Sequence, residues 1–147
     1  MEFLQTIRKL AYAYQSFEQV SDKNIRKIGL TPGQFDVLAT LGNQPPMSCK
    51  ELAEKTLMVK GNLTVILDSL LKKGLINKNP NPNDARSTMV SLTKEGDKFF
   101  VDIFYQHMNY LQPLADSFNE NDLRELSLEL TNFTNRLNKF IDNIDQK

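Results

Sequence analysis

The sequence predicts a mainly α-helical fold of the α+β type, in which a small hairpin lies between long terminal helices. Three observations predict it. Apolar residues recur at helical spacing near both ends of the 147-residue chain. Capping sequences divide the middle into short helices, and two short strand candidates follow these helices. The length is typical of one compact domain, so we expect residues 1–147 to form a single domain.

The composition is that of an ordinary globular protein, with 40% hydrophobic and 24% charged residues. We expect a cytoplasmic protein that binds no membrane, because no apolar run could span a bilayer and the N-terminus does not form a signal peptide. With one cysteine, Cys49, and one histidine, the chain cannot form an internal disulfide or a zinc site of the usual Cys/His type. We therefore predict no metal and no cofactor.

The net charge is zero, but the charges are unevenly distributed. Residues 48–98 contain nine Lys and Arg against six Asp and Glu, a balance of +3. Residues 99–147 contain four against eight, a balance of −4. A basic middle segment predicts contact with a polyanion. Chance clustering is the alternative for so small an imbalance.

The first helix is predicted over about residues 2–27, with Gly29 as its stop. Its apolar residues repeat at steps of 4, 3, 4 and 3, namely Phe3, Ile7, Leu10, Tyr14 and Phe17. The second helix, in "LTPGQFDVLATL", begins with Thr31 as N-cap, Pro32 at the first helical position and Gln34 completing a capping box.

The next two helices form a helix-turn-helix pattern. "SCKELAEKT" opens with a capping box from Ser48 to Glu51, and "KGNLTVILDSLLKKG" ends at Gly74. An ordinary helical hairpin is the alternative for this pair. Two strand candidates follow, "LINKN" and "STMVSL", and the second alternates as a half-buried strand does. A hairpin directly after a helix-turn-helix predicts a winged helix-turn-helix.

The segment between the strands, "NPNPNDAR", is predicted to be the turn of this wing. It places Asp84 two residues before Arg86. We expect the Asp84 carboxylate to hold the guanidinium of Arg86 in a fork and to stabilise the tight turn. The alternative is an exposed ion pair that contributes only about 0–1 kcal/mol.

Two long helices are predicted after the wing. Thr93 caps the first, which ends or kinks near Pro113, and Asn119 caps the second. The last helix has a heptad seam that begins at Leu123. With a seam at each end of a short chain, we expect a homodimer. The predicted interface residues are Phe3, Ile7, Leu10, Leu126, Leu130, Phe133, Leu137, Phe140 and Ile144.

These elements resemble the MarR family of bacterial winged-helix transcriptional regulators over nearly the whole chain. The most specific match is the wing, where Asp84-Ala85-Arg86 is followed by a strand and "LTKEG". The resemblance implies dimerisation helices at residues 1–28 and 95–147 and a DNA-binding lobe at 29–94. Within the lobe it implies a recognition helix at about 60–73 and a wing at about 75–92.

The resemblance also implies that a homodimer binds a pseudo-palindromic operator of double-stranded DNA. The recognition helix would enter the major groove, and Arg86 would enter the minor groove, where negative potential is concentrated. We expect Asn62 and Thr64 to contact base edges and Lys60 to contact phosphate. Thr31 and Ser48, at helix starts, are further phosphate candidates. Val65 and Ser69 depart from the family, which often has arginine at these positions.

Members of the family bind small effectors between the dimer helices and the DNA-binding lobe. The resemblance therefore implies an aromatic or anionic effector that shifts the dimer between DNA-compatible and incompatible geometries. Candidate pocket residues are Tyr12, Phe17, Phe35, Phe104 and His107. Membership of the hydrophobic core is the alternative for each of them.

The most direct interpretation is a DNA-binding transcriptional regulator, a repressor relieved by a small ligand. An enzyme is not expected, because the chain has no glycine-rich phosphate loop and no nucleophile-base pair. Two alternatives stay open. Cys49 could sense oxidants, although some family members use a cysteine in the first helix instead, and a buried structural role is the simpler interpretation. The chain could also be a winged-helix protein-interaction module that does not bind DNA.

Overall fold

The computed structural model describes residues 1–56 and 60–145, and of Lys60 and Gly61 it describes the backbone alone. Six helices and three strands follow one another in this part of the chain. Their bounds are α1 Glu2–Lys27, α2 Pro32–Leu41, β1 Met47–Ser48, α3 Cys49–Lys55, α4 Lys60–Lys72, β2 Ile76–Asn81, β3 Asp84–Leu92, α5 Lys94–Ala115 and α6 Glu120–Asp145. The prediction of a mainly helical winged helix-turn-helix is confirmed.

The chain divides into two compact units, residues 1–110 and 111–147. The first contains the core, whose fully buried side chains come from α2, α3, α4, α5 and the sheet and include Leu38, Leu52, Leu67, Leu70, Ile76, Val90 and Ile103. Each such aliphatic side chain contributes about 1.5–3 kcal/mol through the surface it removes from water. This core fixes α4 against α2 and β2, so the opposite face of α4 is presented outward from a rigid base.

Both predicted capping boxes are confirmed. The backbone N–H of Gln34 donates to Thr31 Oγ1 at 3.2 Å, and the N–H of Thr31 donates to Gln34 Oε1 at 3.0 Å. The N–H of Glu51 donates to Ser48 Oγ at 3.1 Å, and that of Ser48 to Glu51 Oε2 at 3.0 Å. Each box satisfies two backbone N–H groups at its helix start and so sets where α2 and α3 begin.

Two glycines end helices in the left-handed region that other residues rarely adopt. Gly29, after α1, has φ of 90°, and Gly74, after α4, has φ of 70°. The side chain of Thr93, which lies close to Gly74 in space, connects α4, β3 and α5. Its hydroxyl donates to the carbonyl of Gly74 at 2.7 Å and accepts from the N–H of Gly96 at 2.9 Å, which confirms that it caps α5.

The sheet is antiparallel in the order β1-β3-β2. The strand β1, a two-residue strand that pairs Met47 with Val90, was not predicted, and the other two strands are longer than predicted. β2 and β3 continue to Asn81 and Asp84, so the turn contains only Pro82 and Asn83. Pro80 is compatible with a strand here because β2 is an edge strand, the place where proline occurs in sheets.

The helix α5 continues through Pro113 and ends at Ala115, close to the predicted end. The second unit then contains α6, whose start is capped as predicted, with the N–H of Asp122 donating to Asn119 Oδ1 at 2.8 Å. No residue of α6 is buried. Within residues 1–56 and 60–145, no helix combines the length and the apolar character needed to cross a bilayer.

Candidate nucleic-acid interface

The helix α4 has one buried and one exposed side. Leu63, Leu67 and Leu70 face the core. Asn62 and Thr64, the two predicted base-contacting residues, lie on the exposed side. Val65 is 70% exposed beside them, so the exposed side of α4 also presents an apolar side chain next to the two predicted base-contacting residues. The third predicted residue of this helix, Lys60, begins α4, but its side chain lies outside the described part of the chain, as does the predicted turn at residues 57–59.

A hydrogen bond joins the recognition-helix candidate α4 to the start of α2. Gln34, which is 8% exposed, donates from Nε2 to Ser69 Oγ at 2.6 Å. The same side chain completes the capping box with Thr31 through its Oε1. Ser69 therefore has a positioning role within the protein. This role could not be predicted, because a contact between residues 35 positions apart leaves no local pattern in the sequence. From the sequence, Ser69 was noted only as a position where the family often has arginine.

A second link connects α4 to the wing. Lys78 of β2 lies 3.6 Å from the carboxylate of Asp68 in α4. Because both groups are partly exposed, this ion pair contributes about 0–1 kcal/mol. It lies between the two elements proposed to contact DNA and lowers the net positive charge there. Neither residue was predicted to belong to the interface.

The wing turn is held by backbone contacts of its polar side chains. Asp84 Oδ1 accepts a hydrogen bond from the backbone N–H of Arg86 at 3.0 Å. Asn81 accepts from the N–H of Asn83 at 3.0 Å and donates to Ser87 Oγ at 2.8 Å. Asp and Asn side chains commonly close turns in this way. The prediction that Asp84 stabilises the turn is confirmed.

The predicted fork between Asp84 and Arg86 is wrong. No ion pair joins these two described residues, and the Asp84 carboxylate accepts a hydrogen bond from the backbone N–H of Arg86 instead. The side chain of Arg86 is exposed near the tip of the hairpin. Its guanidinium is therefore not neutralised by the neighbouring acid, which leaves its full charge and its donors for an anionic partner.

The remaining phosphate candidates are at helix starts. Thr31 is exposed and Ser48 is half-buried. Each hydroxyl accepts from a backbone N–H in its own capping box. A hydroxyl that accepts a hydrogen bond can still donate its proton to a phosphate oxygen. Cys49, directly after Ser48, is a free, half-buried cysteine at the first position of α3.

A cavity of about 220 Å³ lies between α1 and α2 in the first unit. Two of the five predicted pocket residues, Phe17 and Phe35, line it. Tyr12, which is 74% exposed, and Phe104 do not belong to its lining. The other lining residues were not predicted to belong to a pocket, and they include Tyr14, Ser21 and three acidic residues, Glu18, Asp22 and Asp36.

The fifth pocket candidate, His107, lies behind the cavity wall. It is 2% exposed, and its Nε2 lies 3.0 Å from Ser21 Oγ, which lines the cavity. Its Nδ1 lies 2.9 Å from Asn24 Oδ1, and its ring meets that of Phe35 edge-on at 4.8 Å. Since the amide oxygen can only accept, Nδ1 carries a proton, and in the neutral ring, which burial favours by lowering the pKa, Nε2 accepts from Ser21. His107 thus joins α5 to α1 and α2 in its neutral form.

This buried histidine makes stability depend on pH. Burial lowers the pKa of His107 below its usual value of 6.5. As pH falls below about 6.5, the unfolded chain takes up a proton that the folded chain does not, so the free energy of unfolding decreases. We expect His107→Gln to have a smaller loss of stability than the wild type in denaturant titrations between pH 7 and pH 5. Parallel curves for the two proteins would contradict this account.

The predicted dimer residues of the terminal helices are accessible. In α1, Phe3 is 54% and Leu10 is 38% exposed, and Ile7 is half-buried. In α6, Phe133 is half-buried, and the rest of the seam is exposed by 39–65%, namely Leu126, Leu130, Leu137, Phe140 and Ile144. Rows of exposed apolar side chains of this size mark interaction surfaces in soluble proteins.

Comparison with known proteins identifies similar sequences and folds. Residues 30–88 match the model of the MarR family. The chain is 29% identical over 114 residues to the HTH-type transcriptional regulator MhqR of Bacillus subtilis, covering 78% of this chain and 79% of that protein. It is 32% identical over 90 residues to the HTH-type transcriptional repressor MdtR of the same species, covering 61% of this chain and 58% of that protein.

A solved structure shows the same fold. It is that of a mutant MarR from E. coli, in which a cysteine is replaced by serine, in complex with operator DNA. The two chains superpose with a TM-score of 0.77 at 24% identity, over 90% of this chain and 95% of the other.

Proposed function

We propose that this chain, whose residues 30–88 match the model of the MarR family, is a winged-helix transcriptional regulator of that family and a homodimeric repressor that binds a specific DNA operator. Regulators of this family are DNA-binding proteins and not enzymes. The proposal goes further in naming the dimer, the contacts, the repressing action and control by a ligand. A cytoplasmic location follows from access to bacterial DNA and is part of the proposal.

The observation that carries the proposal is that Arg86 is exposed on a hairpin whose turn is stabilised by its own side chains. Asp84 and Asn81 use their side chains on the turn backbone, so the wing is rigid without occupying the guanidinium. An arginine presented in this way gains most in a narrow minor groove, where the negative potential of DNA is highest. Wing contacts of this kind position the protein and read groove width.

The exposed side of α4 supplies the contacts that read sequence. Asn62 can form two hydrogen bonds with adenine, and Thr64 can pair with several base edges. Val65, at 70% exposure, fits the methyl group of thymine. The arginines common in the family at the positions of Val65 and Ser69 are replaced here. We therefore expect fewer charged contacts from this helix and a preference for A·T-rich half-sites.

Phosphate contacts complete the interface. Thr31 and Ser48 offer hydroxyls at the starts of α2 and α3, where the positive end of the helix dipole favours an anion. Lys60 is the proposed phosphate contact at the start of α4. These contacts carry no sequence information, but they fix the position of α4 in the groove.

The two exposed seams support a homodimer. Leaving apolar rows on both α1 and α6 in water would be costly, and a second copy supplies the same surfaces around a two-fold axis. Two lobes related by such an axis bind the two halves of a pseudo-palindromic site. A dimer bound over a promoter blocks transcription, and the similarity to the repressor MdtR supports this direction of control.

The cavity between α1 and α2 is the proposed effector site. It lies where a ligand touches both the dimerisation helix α1 and the lobe helix α2. Gln34, whose hydrogen bond positions Ser69 of α4, lies in α2 between two residues of the cavity lining, Gly33 and Phe35. A ligand that moves the start of α2 would therefore move α4 and change DNA affinity.

A titration of DNA binding tests the proposal. Fluorescence anisotropy of a labelled duplex from upstream of the protein's own gene, against a scrambled duplex of equal length, should show preferential binding at low salt. The logarithm of the binding constant should fall steeply with the logarithm of salt concentration, since each phosphate contact releases a counterion. No binding at low salt would favour a protein-interaction module instead, and salt-independent binding would contradict the proposed contacts.

A further inference from the structure

Aromatic and acidic side chains together line the cavity between α1 and α2. Three aromatic side chains, Tyr14, Phe17 and Phe35, supply flat apolar surface. Three carboxylates, Glu18 and Asp22 of α1 and Asp36 of α2, supply negative charge from both helices. Among the residues that the structure describes, no lysine or arginine lines this cavity. A cavity of about 220 Å³ with this lining, open to solvent on one side, has room for a compact organic molecule of about one aromatic ring.

Burial and the carboxylates of these walls act together on a neighbouring phenol. The pKa of the Tyr14 phenol is raised above 10.0, first by burial, then by the negative charge of Glu18 and a hydrogen bond to it, and then by Asp36 and Asp22. A carboxylate or phenolate ligand would meet the same repulsion as the ionised phenol. A cation would be attracted, because opposite charges within about 4–6 Å stabilise each other in such partly buried sites.

We propose that this cavity binds a hydrophobic organic cation, an aromatic compound with a tertiary or quaternary ammonium group. The ammonium lies among the three carboxylates and against the faces of the aromatic rings, which attract cations through their quadrupoles. The aromatic part packs against Phe17 and Phe35. This inference rests on the proposed function, since it names the chemical class of the proposed effector. It replaces the anionic class with a cationic one.

The cation would also couple the cavity to α4. Glu18 and Asp22 belong to α1, whereas Asp36 belongs to α2, two residues from Gln34. A cation between them draws α1 and α2 together and shifts the start of α2. The hydrogen bond from Gln34 to Ser69 then transmits the shift to α4. Binding of the cation is therefore expected to lower operator affinity.

The test compares ligands that are similar in size and differ in charge. Binding of benzyltrimethylammonium, phenylacetate and neutral benzyl alcohol to the full chain is measured by NMR or calorimetric titration without DNA. The cation should bind at least about tenfold more tightly than the anion, the difference expected for partly screened charges. Equal or tighter binding of phenylacetate, or failure of the cation to bind saturably, would overturn the proposal.

Two variants test the carboxylates themselves. The double variant Glu18→Gln with Asp36→Asn should weaken binding of the cation by about tenfold and not weaken that of phenylacetate. The single variant Asp22→Asn serves if the double variant unfolds, and should weaken cation binding by about threefold. The control Glu95→Gln removes one exposed carboxylate of α5 outside the cavity lining and should leave both affinities unchanged. Unchanged cation affinity in the folded variants would overturn the proposal.

The titration separates this inference from the proposed function. Binding of the cation without any operator binding would retain the cavity assignment and contradict the regulator. Operator binding by the same protein preparation without binding of the cation would retain the regulator and contradict the cationic effector. A cation that binds but leaves operator affinity unchanged would overturn the coupling through Gln34 and Ser69.

Discussion

Replacing Leu137 of α6 with glutamate is expected to separate the dimer and to abolish operator binding. Leu137 is in the middle of the seam and is 42% exposed in the single chain. In a dimer it would be buried, and a buried carboxylate without a partner costs several kcal/mol per copy. A monomer binds only one half-site, so operator affinity should fall by a factor of about 100 or more. Sedimentation and anisotropy measure the two effects.

The same helix offers a matched control. Leu128 is 59% exposed and lies off the seam, between Leu126 and Leu130. Leu128→Glu introduces the same charge into the same helix and should leave both the dimer and operator binding intact. A dimeric Leu137→Glu variant, or equal disruption by Leu128→Glu, would show that the seam is not the interface.

The second large effect is expected for Arg86→Ala, which should weaken operator binding by about 1–3 kcal/mol. The guanidinium is exposed and lacks an ion pair to the neighbouring Asp84, so it would enter the minor groove without first breaking an internal contact. The dimer should be unaffected, and the slope of log K against log salt should decrease by about one. Anisotropy titrations over a range of salt concentrations measure both quantities.

Two further variants separate charge from position. Lys98→Ala removes one exposed positive charge from α5, outside the proposed interface, and should change affinity little. Asp84→Asn keeps an acceptor for the N–H of Arg86, whereas Asp84→Ala removes it and should loosen the wing. We therefore expect Asp84→Ala to weaken binding more than Asp84→Asn. Equal losses for Arg86→Ala and Lys98→Ala would mean that the wing arginine has no specific role.

Local features of the fold could be predicted from the sequence. The two capping boxes depend on residues three apart, and both form as expected. The helices α1 and α6 follow from apolar residues at steps of three and four. The short strand β1 could not be found in this way, because two residues are too few to show alternation and their partner in β3 is distant in sequence.

The candidate site was predictable only in part, because contacts between residues that are distant in sequence leave no local pattern. The wing residues Asp84 and Arg86 are neighbours, so their position on a turn could be predicted, but the choice of the carboxylate between a backbone N–H and a guanidinium could not. The pairing of Gln34 with Ser69 depends on how α2 packs on α4. The acidic lining of the cavity likewise arises only when α1 and α2 lie side by side.

The central claim is that a two-fold dimer of this chain reads DNA through α4 and the wing. Selection of bound duplexes from a random pool, followed by sequencing, tests it most directly. We expect enrichment of an inverted repeat whose half-sites are centred about one helical turn, 10–10.5 base pairs, apart. Enrichment of a single asymmetric site, or no enrichment at low salt, would contradict the account.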